Sequence, residues 1–327
     1  MIQKRLKILS LMITLLLSTS LMLYVTYAWF STNSSVDVNN IHIQARVSEK
    51  ILVSTDAIKW KGAITLNDIM NADYIGTRKN QIPVNFQAYS SGAILENGYM
   101  KMYSGFVSME TNPTSENYKK LVLTSLKEEE QDGYTGGFLT FDLYFKSDSV
   151  RPIYLGKKSV ANYVGSESGI ASALRIAFIR EGSLIDESQI SAIQGLKTSD
   201  NKNVTIWEPN CNQHNVNGIK NALETYGITI NEDSSQLSYY GIKNEITTPI
   251  PLNSQDDNYF SLMTSSVCTP NNYMETQINK YLFTIDQGIT KVRVYVWVEG
   301  QDVDCENSSS GTDFEFNINF TTKVEES

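Results

Sequence analysis

The chain has 327 residues and a formal net charge of −9, from 27 Lys and Arg against 36 Asp and Glu. This length is ample for one large domain or two modest ones with a real hydrophobic core. The acidic balance excludes nucleic acid as a partner, because a negative surface repels the phosphate backbone, and the isolated lysine pairs do not form a polybasic membrane-binding segment.

The N-terminal 30 residues have the pattern of an export signal. Its basic residues are Lys4, Arg5 and Lys7. They precede an uncharged, mostly apolar stretch over residues 8–30, which is long enough for a helix that spans a membrane with its basic end in the cytoplasm. Thr26 and Ala28 are small residues at the spacing that signal peptidase recognises. We predict that residues 1–30 are a signal peptide that signal peptidase removes, or a signal anchor in the membrane, and that the rest is extracellular or at the cell surface.

Strict alternation of apolar with polar or aromatic residues marks the strongest predicted strands. Its apolar positions are Leu139, Phe141, Leu143 and Phe145; Leu174, Ile176 and Phe178; Val292, Val294, Val296 and Val298; and Phe314, Phe316, Ile318 and Phe320. This period of two is typical of strands with one face in the core and the other in water. Helical spacing occurs over residues 218–226, which Gly227 closes, and within residues 184–196. Many short strands and few helices predict an all-β fold, namely an antiparallel jelly-roll-like β-sandwich.

The domain organisation follows from where these patterns fall. The polar stretch at about residues 182–279 separates the strongest strands, so we expect a mixed loop and short-helix insertion there, with the strands on either side of it paired to each other. Residues 31–327 are predicted to form a single extracellular β-sandwich domain with this insertion, preceded by the N-terminal hydrophobic helix. Cys211 and Cys268 lie in loop-like settings within the insertion and are the candidate disulfide, which leaves Cys305 over.

Residues suited to catalysis are scarce. The chain has 2 histidines, His42 and His214, and neither lies near a Gly-x-Ser-x-Gly or His-Glu-x-x-His motif. Glycine-rich phosphate-binding motifs are also missing from the sequence. Paired carboxylates carry glycosidase chemistry, but Asp and Glu are too numerous here for one pair to be singled out. The sequence predicts a non-enzymatic protein, with a secreted hydrolase as an alternative.

One acidic loop, after the Val-rich strand, has closely spaced oxygen ligands of the kind that calcium prefers. Glu299, Asp302 and Asp304 are the candidate ligands, although a solvated acidic turn gives the same pattern. No other cofactor is expected. Tyr295 and Trp297 alternate with the valines of the preceding strand, so they are either exposed for sugar stacking and subunit packing or covered by the insertion.

Motifs near both ends of the chain resemble one class of exported proteins. Residues 26–31 (Thr-Tyr-Ala-Trp-Phe-Ser) close the hydrophobic leader with an aromatic pair, and a short strand pattern begins at Val36. Residues 294–305 (Val-Tyr-Val-Trp-Val-Glu-Gly-Gln-Asp-Val-Asp-Cys) and the strand pattern over residues 314–320 are similar to the last two strands of that class. Together these motifs resemble the TasA and camelysin type of surface and biofilm-matrix proteins of Gram-positive bacteria.

The resemblance implies a structural role. Related matrix proteins are jelly-roll sandwiches whose N-terminal segment, freed by signal cleavage, adds as a strand to the next subunit. Here the candidate donor strand contains Val36, Val38, Ile41 and Ile43, with a bulge or turn at Asn39–Asn40. The implied partners are further copies or related surface subunits, in a matrix or fibre. Alternatively, the segment is the first strand of its own domain or a stalk above the membrane. The second function is then that of a membrane-anchored ectodomain that binds a glycan or protein ligand.

Overall fold

The computed structural model describes residues 36–37, 42–47, 51–76, 80–156, 159–164, 170–230, 236–270, 280–305 and 313–322. The predicted hydrophobic helix over residues 1–30 lies outside this part of the chain. The strands within it are β1 (Val36–Asp37), β2 (His42–Val47), β3 (Leu52–Ser54), β4 (Ala63–Ile64), β5 (Gln81–Ile82), β6 (Asn85–Phe86), β7 (Ala88–Ser90), β8 (Leu95–Glu96), β9 (Tyr99–Met100), β10 (Met102–Met109), β11 (Leu121–Glu128), β12 (Gly133–Tyr134), β13 (Leu139–Ser147), β14 (Arg151–Leu155), β15 (Val160–Val164), β16 (Leu174–Leu184), β17 (Val204–Pro209), β18 (Tyr239–Ile242), β19 (Ile246–Pro251), β20 (Phe260–Met263), β21 (Val267–Thr269), β22 (Lys280–Ile285), β23 (Gly288–Glu299) and β24 (Asp313–Thr321). The helices are α1 (Leu66–Met70), α2 (Ile170–Ala173), α3 (Ile190–Gln194), α4 (Val216–Tyr226) and a short 3-10 helix at Asn201–Asn203. None of these helices is long and apolar enough to cross a membrane.

Two large sheets form most of this mainly β chain, so the predicted β class is confirmed. In the described residues the larger sheet has 12 strands, and β23 lies between β13 and β16 at its centre. The smaller sheet has 6 strands, in the order β22-β14-β24-β2-β4 with β15 beside β24. Most neighbours are antiparallel, but β2 with β24, β5 with β12, β17 with β21, and β7 with β23 are parallel pairs. Both sheets are therefore mixed rather than purely antiparallel as the sequence predicts. In the smaller sheet the parallel pair is the N-terminal strand β2 beside the last strand β24.

The predicted alternation places one face of the central strands in the core. Leu139, Phe141, Leu143 and Phe145 of β13 are all fully buried. β13 and β16 pair along the two sides of β23 in long antiparallel ladders. These ladders join strands from either side of the polar stretch 182–279, as expected from the sequence.

The two sheets pack face to face over this apolar layer. Phe145 and Phe178 of the larger sheet contact Phe283 and Phe320 of the smaller sheet, with ring centroids 5.2 to 6.0 Å apart. Aromatic pairs at such distances contribute about 0.5–1.5 kcal/mol each beyond the burial of their area. The architecture is a two-layer sandwich with a continuous core between its sheets.

The sequence predicts that the opposite face of the central strands is exposed to water, but in the structure this face is buried as well. Every residue of β23 is buried, including Tyr295 and Trp297. A second apolar cluster covers these two side chains, with Phe138 stacked on Tyr295. The cover comes mainly from residues 89–102, while Ile206 is contributed by the predicted insertion. The central strands of the larger sheet therefore lie between two buried layers.

The polar stretch 182–279 is built into the larger sheet rather than attached beside it. It supplies β17, which pairs with β16, then β21, which pairs with β17, and β19, which pairs with β11. Its two predicted helices are present as α3 and α4. Helix α4 begins after Asn215, whose side chain accepts a hydrogen bond from the N–H of Gly218 at 2.6 Å. It ends at Gly227, whose φ of 67° lies in the left-handed region that favours glycine.

Candidate functional site

The N-terminal segment predicted as a donor strand lies in two strands that pair within their own chain. Val36 belongs to β1, which pairs with β6, and Ile43 belongs to β2, which pairs with β24 and β4. Val38 and Ile41 lie outside the described residues. Asn39–Asn40, where a bulge or turn is expected, also lie outside the described residues. The described parts of the segment, β1 and β2, thus pair with strands of their own chain.

The neighbours of β2 in the sheet are unequal in length. β2 runs parallel to β24 over all 6 of its residues, but it pairs with β4 only at Ala45 and Arg46. The register sets Ala45 beside Ile318, which is buried in the core between the sheets. The edge of β24 is therefore the main binding surface for β2.

The outer strands of the larger sheet offer less room for an added strand. β19 ends one side of the sheet and carries Pro249 and Pro251, which have no backbone N–H to donate. Proline on an edge strand prevents further strands from pairing there. At the other end, β12 is only 2 residues long. Among the described strands, the long ladder between β2 and β24 is where strand exchange is best supported.

The candidate cysteine pair forms a disulfide. The Cα atoms of Cys211 and Cys268 are 5.7 Å apart. Cys211 follows the end of β17 and Cys268 lies in β21, so the bond joins two neighbouring parallel strands. Cys305 takes no part in this bond and is buried in the core between the sheets.

Loss of this disulfide is expected to lower the free energy of unfolding by about 2–4 kcal/mol. The reason is that the bond closes a loop with a sequence separation of 57 residues, which restricts the unfolded chain. Urea unfolding of the double variant Cys211→Ser, Cys268→Ser measures the effect. Cys305→Ala is the matched control, and its expected loss is about 1 kcal/mol. Equal losses in the two proteins would show that the bond itself adds no stability.

Glu299, the first of the predicted calcium ligands, is fully buried at the end of β23. Its carboxylate accepts hydrogen bonds from the indole of Trp297 at 3.0 Å and from the backbone N–H groups of Ser91 and Gln301 at 3.3 and 3.0 Å. Burial raises the pKa of Glu299 to about 7, against the opposing effect of its hydrogen-bond donors. Both carboxylate oxygens of Glu299 therefore accept hydrogen bonds from N–H groups of the protein.

The other two predicted ligands have different partners. Asp302 pairs with the buried Arg175 and accepts the backbone N–H of Asp304 at 2.8 Å. Asp304 accepts the N–H of Asn215 at 2.9 Å, and its second oxygen lies 2.7 Å from Nδ1 of His214. Among the described residues, no group of three or more His, Cys, Asp or Glu side chains is placed to hold a metal ion. The structure does not bring the predicted calcium ligands together around one point.

Arg175 is the centre of the first of two buried ionic clusters, and we call it the Arg175 cluster. Its guanidinium pairs with Glu208 at 2.9 Å and with Asp302, and its Cζ lies 5.0 Å from the ring centroid of Tyr239. Burial raises the pKa of Glu208, and Arg175 opposes this effect. Glu208 and Tyr239 belong to the stretch 182–279, so these contacts attach that stretch to the central strands.

The buried acids beside this cluster predict a pH dependence of stability. Burial raises the pKa of Asp304 to about 6 and that of Glu299 to about 7. Burial alone lowers the pKa of His214, but its hydrogen bond with Asp304 and the negative charges of Asp304, Asp302 and Glu208 together outweigh burial and raise it. In all three cases the folded protein holds a proton that the unfolded chain releases at lower pH. The free energy of unfolding is therefore expected to fall as the pH rises from about 5 to about 8.

Urea unfolding at both ends of this pH range checks the prediction. Glu299→Gln removes one of the titrating groups, so the pH dependence should shrink by on the order of 2–3 kcal/mol. A wild-type stability that is flat or rises with pH would contradict the assignment. An unchanged pH dependence in the variant would exclude Glu299 as a source.

The second buried group is the Lys291 cluster, which lies on the same face of the larger sheet. Its members are Glu130, Asp142, Glu181, Lys291 and Arg293. Nζ of Lys291 is 3.2 Å from Asp142 Oδ2 and 3.0 Å from Glu181 Oε2, and Arg293 Nη1 is 2.8 Å from Asp142 Oδ1. The sequence does not predict this cluster, because alternation assigns its positions to the wet face. The aromatic residues Tyr295 and Trp297, which continue the same face of β23, are the available signal that this face is covered.

One cavity lies beside α1 and has a volume of about 150 Å³. It is lined by Thr55, Asp56, Lys59, Lys61, Ile64, Asn67, Asp68 and Asn71. Pockets for small-molecule ligands usually measure about 300–1,000 Å³. Since Tyr295 and Trp297 are buried, they are not available for sugar stacking.

Comparisons with protein-family models, with curated proteins and with solved structures found no match.

Proposed function

We propose that the chain is an exported, non-enzymatic structural protein of the cell surface or extracellular matrix, which assembles by exchange of its N-terminal strand. The observation that carries the proposal is the parallel ladder of 6 residue pairs between β2 and β24. In the assembly, β2 of one copy occupies the same position on β24 of the next copy. Exchange of an identical element between copies has a low energetic cost, because the contacts and the register are preserved.

The link between β2 and the rest of the domain limits the shape of such an assembly. Three residues, 48–50, separate the end of β2 at Val47 from the buried Ile51. Three extended residues span at most about 10 Å. Two copies that share β2 must therefore lie in direct contact, which favours a compact fibre of abutting sandwiches.

Export and cleavage complete the proposal. Residues 1–30 act as a signal peptide, and signal peptidase frees the residues that precede β2, so that the strand can move to a neighbouring copy. The sandwich is of the jelly-roll-like type that the resemblance implies. If residues 1–30 instead remain as a signal anchor, the chain is a membrane-anchored ectodomain that binds a glycan or protein ligand. Since the aromatic residues Tyr295 and Trp297 are buried, they give that alternative less support.

N-terminal sequencing of the protein from its native host tests the proposal. Extracellular material should contain chains that begin at Trp29 or later, and electron microscopy of the same fraction should show polymers. Chains that begin at Met1, remain in the membrane fraction and stay monomeric at high concentration would contradict assembly and favour the anchored ectodomain.

A further inference from the structure

The Lys291 cluster brings together the three functional groups needed to join a lysine to an aspartate. Lys291 Nζ is 3.2 Å from Asp142 Oδ2 and 3.0 Å from Glu181 Oε2, and all three side chains are 0% exposed. The backbone carbonyl of Gln194 accepts a hydrogen bond from the same nitrogen at 2.6 Å, which fixes its position. We propose that Lys291 and Asp142 form an intramolecular amide cross-link, with Glu181 as the acid-base catalyst.

Strand pairing explains how the three groups meet. Asp142 lies on β13 and Glu181 on β16, the two strands that flank Lys291 on β23. The ladder between β16 and β23 shifts its register between Arg180 and Gly182, so Glu181 is an extra residue in its strand. Such a bulge changes the direction of a side chain, and the φ of 143° at Gly182 is a conformation that glycine adopts readily. This bulge therefore brings Glu181 into contact with Lys291.

The surroundings of Asp142 favour attack on its carboxyl carbon. Arg293 donates to Oδ1 at 2.8 Å, and the hydroxyl groups of Tyr74 and Tyr144 donate to Oδ2 at 3.0 and 3.3 Å. Donors in these positions withdraw electron density from Cγ and stabilise the negative oxygen of a tetrahedral intermediate. They are held in place before the reaction begins, so little reorganisation is needed.

The reaction balances without any further reagent. Glu181 takes a proton from the Lys291 ammonium, and the freed amine attacks Cγ of Asp142. The bond between Nζ and Cγ forms, and the bond between Cγ and Oδ2 breaks. Oδ2 leaves as water with two of the three ammonium protons, both passed on by Glu181. One ammonium and one carboxylate thus become one neutral amide and one water, and Glu181 ends as the carboxylate it was.

Burial drives this condensation forward. Two charges held away from water carry a large desolvation cost, which the neutral amide removes. The released water leaves for bulk solvent, and a closed site opposes its return. The ion pair between Lys59 and Asp73 is an internal comparison, because it is closer, at 2.6 Å, but its side chains are 60% and 63% exposed. No cross-link is expected there.

Peptide mapping of the full chain tests the proposal. The protein is reduced, digested with trypsin and analysed by tandem mass spectrometry. The expected product is a branched peptide that joins residues 128–146 to residues 281–293. Its mass is lower by one water than that of the two linear peptides, and trypsin does not cleave after the acylated Lys291. Linear peptides 128–146 and 281–291 alone, from protein shown to be folded, would overturn the proposal.

Two variants test the assigned roles. Glu181→Gln retains the shape of the side chain but cannot accept a proton, so the branched peptide should fall at least about tenfold. Lys291→Arg retains the charge but lacks the nucleophile, so the branched peptide should be lost. Circular dichroism reports whether each variant is folded, and the wild-type digest decides the existence of the bond even if a variant is not. Full cross-linking in Glu181→Gln would overturn the role of Glu181, and a branched peptide from Lys291→Arg would overturn the assigned bond.

Discussion

Replacement of Arg293 by alanine is expected to lower the free energy of unfolding by about 3–5 kcal/mol. Arg293 is fully buried and pairs with Asp142 at 2.8 Å and with Glu130. Burial alone lowers the pKa of Arg293, but these two carboxylates outweigh burial and hold the pKa well above its ordinary value. The variant therefore leaves the Glu130 carboxylate in a buried site without its counter-charge, and likewise Asp142 in chains that carry no cross-link.

Urea unfolding of Arg293→Ala beside Lys59→Ala measures the contribution of burial to this effect. Lys59 also forms an ion pair with an aspartate, at 2.6 Å, but both side chains are mostly exposed. Its loss should cost no more than about 1 kcal/mol, because solvent screens exposed pairs. Similar losses in the two variants would mean that the Lys291 cluster is hydrated in solution rather than buried.

Substitution of Ala45 by proline is expected to abolish assembly altogether. Ala45 is the point where β2 pairs on both sides, with Ile318 of β24 and with Ile64 of β4. Proline has no backbone N–H and restricts φ, so it interrupts a ladder in the middle of a sheet. Analytical ultracentrifugation and electron microscopy of the secreted protein measure the assembled fraction.

The matched control for this experiment is Ala45→Ser, which keeps the backbone N–H and a small side chain. It should assemble like the wild type. Near-ultraviolet circular dichroism from the buried Trp207 and Trp297 reports whether each monomer retains its packed core. Polymers of normal amount from a folded Ala45→Pro protein would exclude exchange of β2 as the mode of assembly.

The alternating pattern of the sequence is sufficient to predict the central strands and their core face. Apolar residues recur at every second position around Phe141 and around Val294. Only a strand brings residues with this spacing onto one continuous apolar face. The same reasoning predicts helix α4, because apolar residues at helical spacing end at Gly227. These features depend on neighbours in the sequence, which is why a single sequence reveals them.

The charged residues behind the central strands could not be placed by that reasoning. Arg293 and Asp142 are 151 residues apart in the sequence, yet they form one buried contact. Alternation distinguishes the two faces of a strand but does not show whether a second layer covers the polar face. Tyr74, Glu130 and Gln194 supply contacts to these charged residues here, and their approach depends on the tertiary fold.

The partner of the N-terminal strand is equally beyond the reach of local pattern. The alternation of Ile43, Ala45 and Val47 is the same whether the strand pairs within its chain or with another copy. Its pairing with β24 joins the two ends of the chain, and such long-range parallel contacts leave no local signature. The resemblance to matrix proteins supplies the hypothesis of exchange, and the ladder supplies the residues with which to test it.

Disulfide trapping between Gln44 and Asn317 tests the exchange of β2 most directly. These residues are register partners on β2 and β24, and Cys305→Ala removes the third native cysteine from the background. One chain carries Gln44→Cys, a second carries Asn317→Cys, and the two are secreted together. Exchange predicts a disulfide-linked pair with one chain of each kind in the assembled fraction. Exchange of β2 would be contradicted if the mixed assembly contained no linked pairs and if assembled chains that carry both substitutions formed only internal disulfides.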